Sequence, residues 1–373
     1  MGRWHWHGKT RWFICLILVL GLGIALLSWL NKNRVLAWYY VYRLSKANGD
    51  DRGIWLDRAA ALEPHAVPLL IHRLSAGDER TCANIQAALA QLIEGWDTFD
   101  QRRDDLLGQL EKAIANASVS GQKTILDLAT ALLNSENSVD VLEKSLPSCN
   151  LLQDFRVLSH KEARRKALEL SEILLKKLQN TEVRNSCRDL IRACLQDDEP
   201  ENRLKAVQLG SRPPINLLSE IVPRLRDSNP NVRYAALLVL GIATEVLATD
   251  DLLPCLHDSN AQIRRLCQMA LLGRGLRDEH IRLGRLLTEP DARKRLQVPD
   301  ALRQTTDLEP GIWLRWLSHD PSPAVRAVAI RAAMETSNVE MKDRLSQMSQ
   351  NDPSTTVRQL AKFYLSYHFP SVQ

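Results

Sequence analysis

Five pairs, each an acidic residue followed six positions later by an arginine, run through the C-terminal half of the chain: Asp227/Arg233, Asp258/Arg264, Glu289/Arg295, Asp320/Arg326 and Asp352/Arg358. The steps between them are 31, 31, 31 and 32 residues, and a sixth pair, Asp197/Arg203, stands 30 residues upstream. A period held this closely means one small structural unit, copied and stacked, because a unit of that size cannot bury an apolar face alone. Stacked units build long surfaces far more readily than enclosed pockets.

Aligned on the arginine, the units reveal their inward positions. One residue before it stand Val232, Ile263, Lys294, Val325 and Val357; three residues after it stand Ala236, Cys267, Val298, Ala329 and Ala361. Further apolar columns fall two, six and seven residues after the arginine, ending in Leu240, Leu271, Leu302, Ala333 and Leu365. That spacing is one stripe of an α-helix. The acidic residue precedes the helix in turn-forming runs such as Asp-Ser-Asn-Pro at 227–230 and Asp-Pro-Ser-Pro at 320–323, whose side-chain oxygens suit a turn and helix cap. A second apolar stretch leads into each turn, at 217–225, 246–256, 281–287, 312–317 and 339–348. Each unit is thus a helical hairpin, strand signals are nearly absent, and the expected fold is an all-α solenoid, a superhelix of stacked helical hairpins.

The segments Asp-Ser-Asn-Pro-Asn-Val-Arg (227–233) and Asp-Pro-Ser-Pro-Ala-Val-Arg (320–326) resemble the HEAT repeat family in its shorter variety, over about residues 197–366. In that family an inter-helix aspartate precedes an arginine by six residues. The resemblance implies a binding scaffold rather than an enzyme. Two departures stand out. Pro223 and Pro254 lie close to the aspartate, and the unit of Glu289/Arg295 carries Lys294 in an apolar column and Pro299 in the path of its second helix. That helix must kink, or start late with Pro299 in its first turn.

The acid/arginine column has two readings. As a structural ladder, each aspartate caps its helix and bonds the arginine of its own or a neighbouring unit. As a ligand row, the arginines grasp an anion. The ladder is preferred, because every arginine arrives with an acid to neutralise it.

Residues 12–30 hold no charge, and twelve of the nineteen are Leu, Ile, Val or Phe. Such a run is about long enough to cross a bilayer as a helix. Arg3, Lys9 and Arg11 flank one end, Lys32 and Arg34 the other, and Trp4, Trp6, Trp12, Trp29, Trp38, Tyr39, Tyr40 and Tyr42 surround it like an interfacial belt. The expectation is an uncleaved single-pass anchor contacting the lipid bilayer. The segments then read as a tail at 1–11, the span at 12–30, a juxtamembrane stretch at 31–52, a divergent helical region at 53–145, a linker or bend at 146–160, and regular repeats with a C-terminal cap at 161–373.

The seven cysteines form no CxxC pair and no zinc spacing, which favours free thiols and a reducing, cytoplasmic side. Net charge is +5, and residues 264–303 carry ten basic against five acidic side chains. Within that stretch Arg274, Arg277, Arg282, Arg285, Arg293, Lys294 and Arg303 make a candidate partner-binding patch, weighed against a merely solvated surface. No aromatics accompany these basic residues, so nucleic acid is a poor partner for them. Phosphate-binding loops, GxSxG and HExxH are absent from the sequence, so no catalytic, metal or cofactor residues are assigned. The expected function is a membrane-anchored scaffold that binds a protein partner. The alternative is a bilin-lyase-like or chaperone subunit acting on a cofactor-bearing protein, since short HEAT-like repeats also occur in such lyases.

Overall fold

A computed structural model describes residues 31–49, 51–97, 100–135, 158, 160–177, 180–304, 309–336 and 340–369. Among these residues every regular element is helical. Contacts divide the chain into two compact units, Met1–Asn216 and Leu217–Gln373.

In the first unit the helices are α1 (Lys32–Ser45), α2 (Asp51–Ala60), α3 (Glu63–Arg73), α4 (Glu79–Glu94), α5 (Gln101–Ile114), α6 (Val119–Ser135), α7 (Lys161–Lys177), α8 (Thr181–Cys194) and α9 (Pro200–Gly210). Their starts follow from short polar caps. Asp78 accepts from the Thr81 amide at 2.8 Å, Asp100 from that of Arg102 at 2.9 Å, and Asn180 from that of Glu182 at 2.8 Å. On α4 the buried residues Cys82, Ile85, Ala88, Leu89 and Leu92 repeat at helical spacing and pack towards α1, α3 and α6. Two buried polar side chains close helix ends. Asn84 donates to the carbonyls of Leu44 and Ala47 at 2.9 and 3.1 Å, and Arg103 donates to those of Ile93 and Asp97 at 3.0 and 3.1 Å.

In the second unit each hairpin is a short first arm followed by a longer second arm. The first two first arms begin as α10 (Leu218–Ile221) and α12 (Thr249–Leu252), then tighten into 3-10 helices at Val222–Arg226 and Leu253–His257. Pro223 and Pro254 stand at the start of each 3-10 segment. A proline there has no N–H for an α-type bond and its ring crowds the preceding turn, so the tighter winding is the local solution. The second arms are α11 (Pro230–Leu240), α13 (Ala261–Gly273), α18 (Pro323–Glu335) and α20 (Thr355–His368); the remaining helices are α14 (Asp278–Leu287), α15 (Ala292–Arg295), α16 (Val298–Arg303), α17 (Pro310–Leu317) and α19 (Lys342–Asn351).

The column three residues after the arginine (Ala236, Cys267, Val298, Ala329 and Ala361) is fully enclosed in every hairpin. Second arm packs on second arm, α11 on α13 and α16 on α18 on α20, and from Leu283 to Ala361 the inward residues merge into one core. The irregular hairpin breaks its second arm between α15 and α16, with Pro299 buried in the first turn of α16 and Lys294 exposed. At the C-terminal end Tyr364 and Phe369 pack on the core, whereas Phe363 and Tyr367 are exposed and stack on each other at 6.0 Å.

The expected single-pass membrane location does not stand. No helix among the described residues is long and apolar enough to cross a membrane, and residues 12–30, on which the expectation rested, lie outside them. The described helices are amphipathic and spend their apolar faces on one another. α1 carries Lys32, Arg34 and Arg43 and turns Ala37, Val41 and Leu44 inward. Of the aromatic residues read as a belt, Trp38, Tyr39, Tyr40 and Tyr42 lie among the described residues; Trp38 and Tyr39 are exposed, and the four make contacts with one another and with Trp55. Trp38 stacks on Tyr42 at 5.7 Å, Tyr39 meets the Trp55 ring edge-on at 5.9 Å, and Arg43 lies over that ring at 4.9 Å.

One close approach tests the packing of the first unit. A Cβ added at Gly121, in the first turn of α6, would sit 2.2 Å from the carbonyl oxygen of Leu74, a backbone atom that cannot swing away. Gly121→Ala should therefore lower the unfolding free energy by about 1–3 kcal/mol in urea titrations. At Gly108, where nothing lies within 4 Å, alanine should not destabilise the helix.

Candidate interaction site

Each regular hairpin turn is organised by one aspartate and two arginines. The aspartate does not cap the following helix; that position falls two residues later, on Asn229, Asn260, Asp291, Ser322 and Ser354. Instead its carboxylate accepts the amide of the capping residue. Asp227 takes that of Asn229 at 3.0 Å, Asp258 that of Asn260 at 2.8 Å, Asp320 that of Ser322 at 2.7 Å and Asp352 that of Ser354 at 2.8 Å. The arginine of the same hairpin donates through Nη1 to two turn carbonyls. For Arg326 these are Asp320 at 2.8 Å and Pro321 at 3.0 Å.

The other edge of the guanidinium reaches forward to the aspartate of the next hairpin. Arg233 holds Asp258 at 2.7 and 2.9 Å, Arg295 holds Asp320 at 2.6 and 2.9 Å, and Arg326 holds Asp352 at 2.8 and 2.7 Å. A rung of the same design joins Arg164 to Asp197 in the first unit, at 2.5 and 3.1 Å. Arg164 lies outside the period, and sequence spacing gave no signal for it. In Asp258 and Asp352 burial works to raise the carboxyl pKa, but hydrogen bonds from the arginine and the backbone outweigh it and hold both below the usual carboxylate range.

The step from Arg264 to Glu289 is different. Arg264 bonds its own turn carbonyls, Asp258 at 2.7 Å and Ser259 at 3.0 Å, like every other member of the column. Its forward edge meets no carboxylate among the described residues. Glu289 points instead to Lys294 Nζ at 2.7 Å and towards His257 Nδ1 at 3.7 Å. His257 is fixed from its other side, where Nε2 donates to the Arg285 carbonyl at 2.8 Å; a carbonyl only accepts, so that nitrogen carries the proton. The signal in the sequence is a lone glutamate in a column of aspartates. One extra methylene lets the carboxylate leave the rung. At the last hairpin Arg358 bonds the carbonyls of Asp352 and Pro353 and the Thr355 hydroxyl.

The seven basic residues of the candidate patch fall into two groups. Arg274 is structural: its guanidinium donates to the carbonyls of Leu240, Gly241 and Leu247 at 2.7–2.8 Å, closing the C-terminal end of α11. Lys294 is taken by Glu289, and Arg303 lies 2.8 Å from Asp300 and 3.0 Å from Glu335 on the surface. Arg277 caps α14, its amide donating to His280 Nδ1 at 3.1 Å. Arg282, Arg285 and Arg293 are exposed and form no ion pair among the described residues. Arg282 and Arg285 share one outward face of α14, with Ile281, Leu283, Gly284 and Leu287 turned inward. No cluster of three or more potential metal ligands occurs among the described residues.

Residues 188–272 match the family model of HEAT repeats. Among solved structures the chain is similar to an engineered protein determined by the Northeast Structural Genomics Consortium, at 15% identity and a TM-score of 0.34, over 90% of this chain and 93% of that one. No curated protein matches.

The rungs make two predictions. Arg326→Ala strands a buried Asp352 carboxylate and should cost about 3–5 kcal/mol, whereas Arg264→Ala, which strands no carboxylate, should cost about 1 kcal/mol, both read by chemical denaturation. The folded-state pKa of Asp258 and Asp352 lies below the unfolded value, so their stabilisation is complete above about pH 4 and drains away as pH falls through the lowered folded values. The double variant Asp258→Asn/Asp352→Asn should be less stable than the parent at pH 7, and its stability should fall less steeply below pH 4.

Proposed function

We propose that this chain is a HEAT-repeat scaffold, with no chemistry of its own, that binds an acidic stretch of a partner protein at the irregular hairpin. The observation that carries this reading is the open rung at Arg264, together with Arg282, Arg285 and Arg293 around the same hairpin. At Arg233, Arg295 and Arg326 the forward edge of the guanidinium is closed by an aspartate of the next hairpin, Asp258, Asp320 and Asp352. A carboxylate brought by a partner would complete Arg264 with the same bidentate geometry, which is both stronger and more directional than a simple charge contact. The exposed arginines would steer an acidic segment towards it and set its dependence on salt. Repeats matched over residues 188–272 support a scaffold, since stacked hairpins offer extended surfaces.

The purified chain, used as bait in a native extract with quantitative mass spectrometry, tests this. Charge reversal at Arg282, Arg285 and Arg293 should reduce capture of its specific partner set about tenfold or more while far-UV circular dichroism stays unchanged. Arg264→Ala should weaken the same partners with less change in salt dependence. Equal capture by parent and triple variant would reject this face.

A further inference from the structure

Two hollows of the first unit lie along α1 and α3, and they differ in chemistry. One is apolar, ≈ 530 Å³, walled by Val35, Trp38, Pro64, Pro68 and Leu69, with Arg34 also lining it. Val35 and Trp38 are 58% and 53% exposed, so this wall has no cover among the described residues. The other, ≈ 370 Å³, lies where the end of α1, the end of α3 and the start of α4 meet, and is lined by Lys46, His72, Arg73 and Arg80. Val35 and Pro64 share the first hollow, Lys46 and Arg73 the second, so the two helices run in the same direction past both. From Val35 to Lys46 the helix rises about 16 Å. Aromatic rings join the ends: Trp38 lines the apolar hollow and stacks on Tyr42 at 5.7 Å, and the Tyr42 hydroxyl accepts from Lys46 Nζ at 2.7 Å.

The basic end is short of counter-ions. Lys46, Arg73 and Arg80 form no ion pair among the described residues. Arg80 donates through Nη1 to Asn48 Oδ1 at 3.0 Å, and the Arg73 guanidinium lies 5.8 Å from the Tyr42 ring centre without a hydrogen bond among these residues. Asp78 is the only acid among the described residues that line this hollow, and its carboxylate accepts the Thr81 amide at 2.8 Å. Glu63, at the start of α3, is turned to Arg102 at 2.9 Å. Lys46, by hydrogen bond and by charge, holds the Tyr42 hydroxyl below the ordinary phenol pKa, helped by Arg73 and Arg43.

We propose that α1 and α3 bind one molecule of a single-chain amphiphile, with its phosphate head at the basic end and its hydrocarbon chain in the apolar hollow. A phosphate brings the acceptor oxygens that these cations lack, and the planar fork of Arg73 can take two of them side by side. The chain covers Val35, Trp38 and the prolines, removing their apolar surface from water. An apolar body with a few convergent polar groups is the ordinary make-up of a small-ligand site. Each half alone is weak, because exposed cations are screened by salt and a short apolar wall holds little. Together they select a molecule that carries both. It is taken up singly rather than as part of a bilayer, because the apolar hollow lies between two helices. The site is separate from the arginines of the irregular hairpin and does not depend on what they bind.

The full chain is titrated calorimetrically with decyl phosphate below its critical micelle concentration, and one saturable site is expected. Decyl maltoside, with the same chain and no charge, and inorganic phosphate, with the charge and no chain, should each bind at least about tenfold more weakly. The double variant Lys46→Glu/Arg73→Glu should weaken decyl phosphate binding about tenfold or more. Val35→Asp should weaken it about as much from the other end, and an acid in the first turn of α1 suits the helix. Both variants should keep the circular dichroism and melting temperature of the parent. Uptake elsewhere on the chain would be insensitive to either. Lack of a saturable site, equal binding by parent and variants, or co-sedimentation with phosphatidic acid vesicles without uptake of the monomer would overturn the proposal.

Discussion

In the second unit the contact that turns copied hairpins into a stack is the arginine that reaches past its own turn to the next aspartate. One guanidinium does two things. Nη1 ties down two carbonyls of its own turn, and the opposite edge grips a carboxylate that is itself organising the following turn. Local turn geometry and the step between hairpins are thereby set by the same side chain. The pair Arg326 and Asp352 is about nine-tenths or more buried, so each charge depends on the other. A pair of this kind contributes little net stability over a well-packed apolar alternative, but losing one member is costly. Apolar packing holds the hairpins together; the rungs fix which turn faces which.

That division of labour explains what the irregular hairpin can tolerate. With a glutamate at 289 the rung is lost, and with Pro299 the second arm splits into α15 and α16, yet Val298 and Leu302 still fill their core columns. The stripe, not the rung, keeps the hairpin in register. Freed from the ladder, Glu289 joins a small surface network with Lys294 and His257. The departure from the repeat thus has a local structural account and leaves one guanidinium edge unclosed. Natural chains break their own local rules most often where a site needs it.

How much of this was legible in the sequence differs by element. The hairpins and the inward columns followed from the period, and proline chemistry left a kink or a late start as the two outcomes at Pro299, because both act within a few residues. The direction of the rungs did not. A six-residue spacing says that an acid and an arginine are near one turn, and only the packed hairpins show that the fork points to the neighbour. For the same reason Arg274 was read with the surface cations although it is spent on three carbonyls of α11 and the following turn. The aromatic cluster after residue 30 misled in the other direction. Tryptophan and tyrosine mark bilayer interfaces and helix junctions alike, and here Tyr39 and Tyr40 meet the ring of Trp55, about fifteen residues further along the chain.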